Sequence, residues 1–164
     1  MLKKVNDQIE QLLLTIGFLL LGTFIVVVLL KVVIRNFFHV PMMWADEVAV
    51  LCFIWTVFLG AAIAVRRKIH YTVDLAPNKI KMNLVFDLFA HIIVLSLIYV
   101  MIVHGYSFTK MGLSRFSTVL TIPLSYTFVA IPVSGCFMFL FTIEQFINDW
   151  KTLQRLRRHK GEQV

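Results

Sequence analysis

LLLTIGFLLLGTFIVVVLL, residues 12–30, is a run of nineteen positions without one charged side chain. At 1.5 Å rise per residue, about 20 apolar residues cross a hydrocarbon core about 30 Å thick, so this run and its flanks are long enough to span a bilayer. Lipid offers no partner to backbone N–H and C=O groups, and a helix is the form that satisfies its own. Working outward, 48–65, 88–103 and 118–143 are almost equally free of charge. Including flanks, spans are expected at about 12–34, 46–65, 84–103 and 118–143, with a basic tail over 145–164. The expected fold class is therefore an all-α integral membrane protein: one four-helix domain over 1–164, with no room for a separate soluble catalytic domain.

Composition agrees. The 164 residues are 59% hydrophobic with mean hydropathy +0.83, the makeup of a small polytopic membrane protein. A net charge of +7 invites a nucleic-acid reading, but the positions of the charges argue against it. Of the 16 Lys and Arg, twelve fall in the N-terminal tail, the central connection and the C-terminal tail (Lys3, Lys4; Arg66, Arg67, Lys68, Lys79, Lys81; Lys151, Arg155, Arg157, Arg158, Lys160). Arg35, Lys110 and Arg115 fall on the other side, and Lys31 at the edge of the first span is placed to snorkel. The positive-inside rule then predicts N-in/C-in topology, with attraction to anionic membrane lipids as a secondary effect. The first apolar run is too long for a signal-peptide h-region and lacks an A-x-A-like exit, so it reads as an uncleaved helix. Cys52 and Cys136 lie in separate spans, where lone thiols behave as small hydrophobes.

Leu2, Val5 and Ile9 share a helical face, which predicts a short interfacial helix before the first span, and interfacial helices are also expected at the cytoplasmic ends. Pro41 breaks the first outward loop, and Pro77 suits a first helical turn. In the last span Pro132 removes a hydrogen bond to the carbonyl of Phe128, predicting a kink eased by Ser134 and Gly135. The tail after 145 reads as a continuing helix through Phe146, Trp150 and Leu153.

Ionisable groups inside spans mark transport pathways, and here they stand only at boundaries: Asp46 and Glu47, Asp87 and His91, and Glu144. The plain reading is solvation or pairing with nearby Arg or Lys. Glu47 shares a face with Trp44, Leu51, Ile54 and Phe58, which makes it a candidate to meet a partner's Arg. His91 and His104, separated by roughly 20 Å along one helix, lack the second-helix ligands that a haem pair needs. No C-x-x-C, zinc spacing, phosphate loop or nucleophile elbow is present, so no catalytic, cofactor or metal residue is assigned. Gly60 and Ala64, four apart, permit close helix approach, whether within the bundle or against another protein.

Trp44-Ala45-Asp46-Glu47, Phe53-Ile54-Trp55-Thr56-Val57-Phe58-Leu59-Gly60-Ala61-Ala62 and Arg66-Arg67-Lys68-Ile69-His70-Tyr71-Thr72-Val73-Asp74 together resemble the small permease subunit of tripartite ATP-independent periplasmic (TRAP) transporters, the DctQ-type family. Arg35, Ile122-Pro123, Tyr126 and Ile131-Pro132 also fit its pattern. Asp46 stands where that family more often has Glu, and Tyr71 where it more often has Ile. The resemblance covers essentially the whole chain. It implies a bacterial inner-membrane, non-enzymatic subunit that scaffolds a large elevator-type permease as a 1:1 heterodimer. Sodium and substrate sites would lie in that partner, no cofactor in this chain, and a periplasmic solute-binding protein would deliver an organic acid of the C4-dicarboxylate or sialic acid class. Arg35, Trp44, Glu47, Trp55, Gly60, Ala64, Arg66, His70, Asp74 and Pro132 become candidate interface or structural residues, with Arg66, His70 and Asp74 spaced to fix the elbow after the second span. His39, Lys110 and Arg115 become candidate periplasmic docking residues. The rival from another class is a self-sufficient four-helix proton-coupled exporter, which needs a carboxylate inside the first span that this chain lacks.

Overall fold

A computed structural model of the chain describes residues 2–67 and 80–161, with side chains at 6–67 and 90–147. Four long helices and one short one follow each other: α1 (Leu2–Phe38), α2 (Met43–Arg66), α3 (Ile80–Gly112), α4 (Ser125–Phe128) and α5 (Ala130–Gly161). Among the described residues four segments are long and apolar enough to cross a membrane: Asn6–Phe38, Met43–Arg66, Ala90–Gly112 and Ser125–Ile147.

The helices form an open row instead of a closed bundle. α1 packs on α2, α2 on α5, and α5 on α3, while among the described residues α3 approaches neither α1 nor α2. Burial follows this order. Buried residues make up 28% and 33% of the apolar windows of α2 and of α4–α5, but only 6% and 11% of those of α1 and α3. The core, Leu13, Leu59, Ala62, Ile63, Val65, Ile98, Met138 and Phe141, draws on all four long helices and lies toward the Arg66 end of α2. Phe24 of α1 meets Phe53 of α2 farther along, ring centres 5.7 Å apart.

Three boundaries differ from the sequence-based expectation. The amphipathic N-terminal stretch is not a separate interfacial helix: α1 is continuous over 37 residues, about 55 Å, so its first turns extend past any 30 Å core. The apolar stretch 118–124 is not helical. Phe116 pairs with Pro123 in an isolated β-bridge, with Ser117 N–H donating to the Ile122 carbonyl at 2.9 Å and Leu124 N–H to the Arg115 carbonyl at 2.9 Å. Pro123 disfavours helical backbone at Ile122, so helix starts only at Ser125. Finally, Pro132 produces an interruption one turn before itself: regular helix lapses at Val129, between α4 and α5, where the Phe128 carbonyl would need the N–H that proline lacks. The tail is helical to Gly161, as its pattern predicts.

α3 closes on this interruption. A Cβ at Gly105 would lie 2.9 Å from Pro132 Cδ and 3.1 Å from Pro132 N, and one at Gly135 would lie 3.0 Å from Ile102 Cγ1. Two glycines on facing helices thus permit backbone contact of the kind small residues allow in membranes.

Candidate functional site

Polar side chains gather at the two ends of α2. At one end Arg66, its side chain 11% exposed, reaches back to the first turns of α1. Its guanidinium donates to the Asn6 carbonyl and to the Asp7 carboxylate, and Nε lies 3.0 Å from Glu10 Oε2. Arg67 Nε adds a 2.8 Å bond to the other oxygen of Glu10. Asn6 donates to Glu144 of α5 at 2.6 Å, and Arg66 lies over the Phe141 ring, 5.1 Å from its centre. Gln145 Nε2 donates to the carbonyls of Val65 and Arg66 at 2.8 and 2.7 Å. Those are terminal carbonyls that a helix cannot satisfy internally, so α5 caps α2. The planar five-donor guanidinium suits such a branching site, where an ammonium would serve fewer partners.

At the other end Glu47, one turn into α2, inserts its carboxylate into the 113–124 loop. Oε1 accepts from Val119 N–H at 2.9 Å and Thr118 Oγ1 at 3.2 Å, and Oε2 from Leu120 N–H at 2.9 Å. Asp46 pairs with Lys31 of α1, so Lys31 is held by a carboxylate of this chain instead of snorkelling freely. Between α2, the loop and α4 lies an open cleft of about 380 Å³ whose walls include Glu47, Leu51, Ile54, Phe116, Pro123 and Phe128. Trp55 Nε1 donates to the Tyr126 carbonyl at 3.0 Å, tying mid-α2 to the segment before the Pro132 interruption.

The remaining sequence-derived candidates fall as follows. Trp44, Arg35, His39, Lys110 and Arg115 are exposed, and His39 adopts a left-handed backbone, φ 55°. Gly60 is exposed, a Cβ there would meet nothing within 4 Å, and Ala64 is half-buried, whereas Ala62 between them is the fully buried small residue. His70 and Asp74 lie outside the described residues, as does Pro77. Arg66 takes its carboxylates from α1, and Glu47 spends both oxygens on its own chain. Sequence reasoning missed Asn6, Glu10 and Gln145 as members of the Arg66 cluster. The available signal was depth: Asp7, Glu10 and Glu144 stand at the same membrane boundary as Arg66, where unpaired charge is costly. Among the described residues no group of three His, Cys, Asp or Glu side chains could hold a metal ion.

Such a molecule has clasped helix ends and broad apolar flanks, which suits a membrane component. Residues 24–152 match the family described as tripartite ATP-independent periplasmic transporters, DctQ component. The chain is 30% identical over 159 residues to the sialic acid TRAP transporter small permease protein SiaQ of Vibrio cholerae, covering 93% of this chain and 88% of that protein. It is also 34% identical over 59 residues to the sialic acid TRAP transporter permease protein SiaT of Haemophilus influenzae, 34% of this chain and 10% of that permease. The match is to a transporter component and not to an enzyme family, and the chain is multi-pass, with four helices long and apolar enough to cross a membrane. The chain therefore belongs to the DctQ family, the small permease subunit of TRAP transporters.

Proposed function

We propose that this subunit is the stationary scaffold of an importer in the bacterial inner membrane, bound 1:1 to a large permease that moves substrate. The observation that carries this is the open row: these helices lie side by side with both edge helices largely uncovered, which leaves broad surface for a second, larger membrane subunit. Clasps at both ends of α2 make the row a fixed reference against which a partner's mobile domain can work. The first span offers no ionisable residue between 12 and 30, so ion coupling, expected to be to sodium, is assigned to the partner, with no cofactor in this chain. The basic end, carrying Arg66 and the C-terminal tail, faces the cytoplasm in this reading, and the Glu47 end faces the periplasm and the solute-binding protein, with His39, Lys110 and Arg115 as docking residues. The SiaQ likeness supports an organic acid of the sialic acid class as the transported solute.

Co-purification tests the reading. The tagged chain, extracted in gentle detergent from its native membrane, is expected to bring down one large polytopic protein, with native mass giving a 1:1 complex. Recovery of the chain alone, as a homodimer, would overturn it. Deletion of the gene is expected to abolish sialic acid uptake; uptake of another organic acid lost in its place would keep the scaffold and change the solute.

A further inference from the structure

The two edges of the row differ in chemistry. Between residues 12 and 30 of α1 the exposed surface is hydrocarbon: Phe18, Leu19, Val26 and Leu29 stand out, and Thr15 and Thr23 return their hydroxyls to the carbonyls of Gln11 and Leu19. Lipid solvates such a surface without loss. α3 is different. Ile92, Ser96, Tyr99, Val103, Tyr106 and Lys110 are all exposed and recur at alternating steps of four and three, one straight stripe on the side of α3 turned away from Ile98 and Gly105. Tyr99 is 67% and Tyr106 68% exposed. In sequence Tyr99 stands twelve residues after Asp87 and eleven before Lys110, the charged residues that bound this apolar run, close to mid-membrane. Tyrosine in lipid belongs to the headgroup belts, and a phenol hydroxyl in hydrocarbon without a partner is destabilising. A 3–4 spacing is also the repeat with which a helix packs along another helix.

We infer that the Ser96–Tyr99–Val103–Tyr106 stripe of α3 is the surface that the large permease covers, through a membrane helix offering a hydrogen-bond acceptor opposite Tyr99, and that α1 is the lipid edge. This rests on the two-subunit reading and adds its geometry. Lys110, in the last turn of α3, marks the periplasmic end of the stripe in this reading.

Site-specific photo-crosslinking in membranes that contain both subunits tests it, with p-benzoylphenylalanine replacing Tyr99 or Val103 on α3 and Phe18 or Val26 on α1. Adducts to the large permease from the two α3 positions are expected. Adducts from α1 alone, adducts of α3 to a second copy of this chain, or only lipid adducts at Tyr99 and Val103 would overturn the assignment. Co-purification from the same membranes separates the two ideas: partner recovered but α3 silent rejects the surface and keeps the scaffold, whereas no partner rejects both. Tyr99→Phe, which keeps the ring and removes the hydroxyl, is expected to lower partner recovery about threefold, the scale of one interhelical hydrogen bond in a membrane. An unchanged elution profile of the variant purified alone excludes misfolding as the cause, and unchanged recovery would count against the hydroxyl's role.

Discussion

The Arg66 end and the Glu47 end of α2 solve one problem with opposite chemistry. At the first, a cation collects two carboxylates and one carbonyl from α1 while a neighbouring glutamine caps the helix from α5, so three helices separated by up to 138 positions in sequence are tied together. At the second, Glu47 collects backbone N–H groups from one loop, beside an exposed Lys31–Asp46 pair between α1 and α2. Apolar faces give little preference for protein over lipid, so between helices in a bilayer polar contacts and close packing determine register. Side-chain charge joins helices here, and a carboxylate on backbone amides shapes a loop. The first kind of contact should govern assembly of the row, and the second only local order.

Arg66→Ala is the largest test of that contrast. It leaves Asp7 and Glu10 facing each other without their main cation and removes the bond to the Asn6 carbonyl, so α1 loses its anchor. Breaking a largely buried ion pair from one side costs about 3 kcal/mol or more, expected as a fall in detergent melting temperature on the order of 10 °C. Arg66→Lys should recover only part, because one ammonium cannot serve Asn6, Asp7 and Glu10 together. A melting curve unchanged by Arg66→Ala would show that apolar packing, not the cluster, holds α1.

Neither end reaches the described part of α3 directly, and the row's other edge depends on close packing at Gly105. Gly105→Ala places a methyl 2.9 Å from Pro132 Cδ and 3.0 Å from Ile131 Cγ2, and the helices must separate. Overpacking of this kind costs about 1–3 kcal/mol, a smaller fall in melting temperature than Arg66→Ala gives. Repeating the change on a Pro132→Ala background should relieve part of the clash. Equal losses in both backgrounds would place the contact elsewhere.

For Glu47→Ala the expected effect is local. Hydrogen exchange at the Val119 and Leu120 amides should accelerate several-fold, while exchange and melting at the Arg66 end stay as in the parent chain. Glu47→Gln should fall between, since its amide keeps one acceptor oxygen and turns donors toward the other N–H groups. Loss of global stability in either variant would mean that the 113–124 loop holds the row together and that the two ends are equivalent.

The helical class and the number of membrane-length helices were legible from length and hydropathy alone, because a bilayer imposes one length scale on every segment. That Pro132 disturbs the last span was legible too, since proline lacks an N–H whatever surrounds it, whereas the full lapse of helix at Val129 was not. The loop at 118–124 was not, because Val119, Leu120 and Ile122 carry the composition of a span; what excludes helix is Pro123 acting on Ile122, together with a glutamate 72 residues earlier from Val119. The Arg66 cluster was half legible: charges at one membrane boundary should pair, but which helix supplies them depends on the row order, and apolar faces of α1, α2, α3 and α5 look alike in sequence. Asn6 and Gln145 gave no signal, since neutral amides at helix ends become informative only when the neighbouring helix is known.

The smallest expected effect concerns Gly60, which the sequence pairs with Ala64 as a close-packing patch. In the isolated chain a methyl at this position meets nothing within 4 Å. Gly60→Ala should therefore leave melting unchanged or raise it slightly, because alanine in a helix interior is favoured over glycine by about 0.5–1 kcal/mol. The same substitution at Gly105 is expected to do the opposite, and the pair separates what glycine contributes through space from what it contributes through backbone freedom. Gly60 also tests the row from outside. If α3 is the face toward the large permease, Gly60→Ala should leave partner recovery intact; a loss of recovery with unchanged melting would move the interface to α2, where the patch around Gly60 would then be packed against the partner.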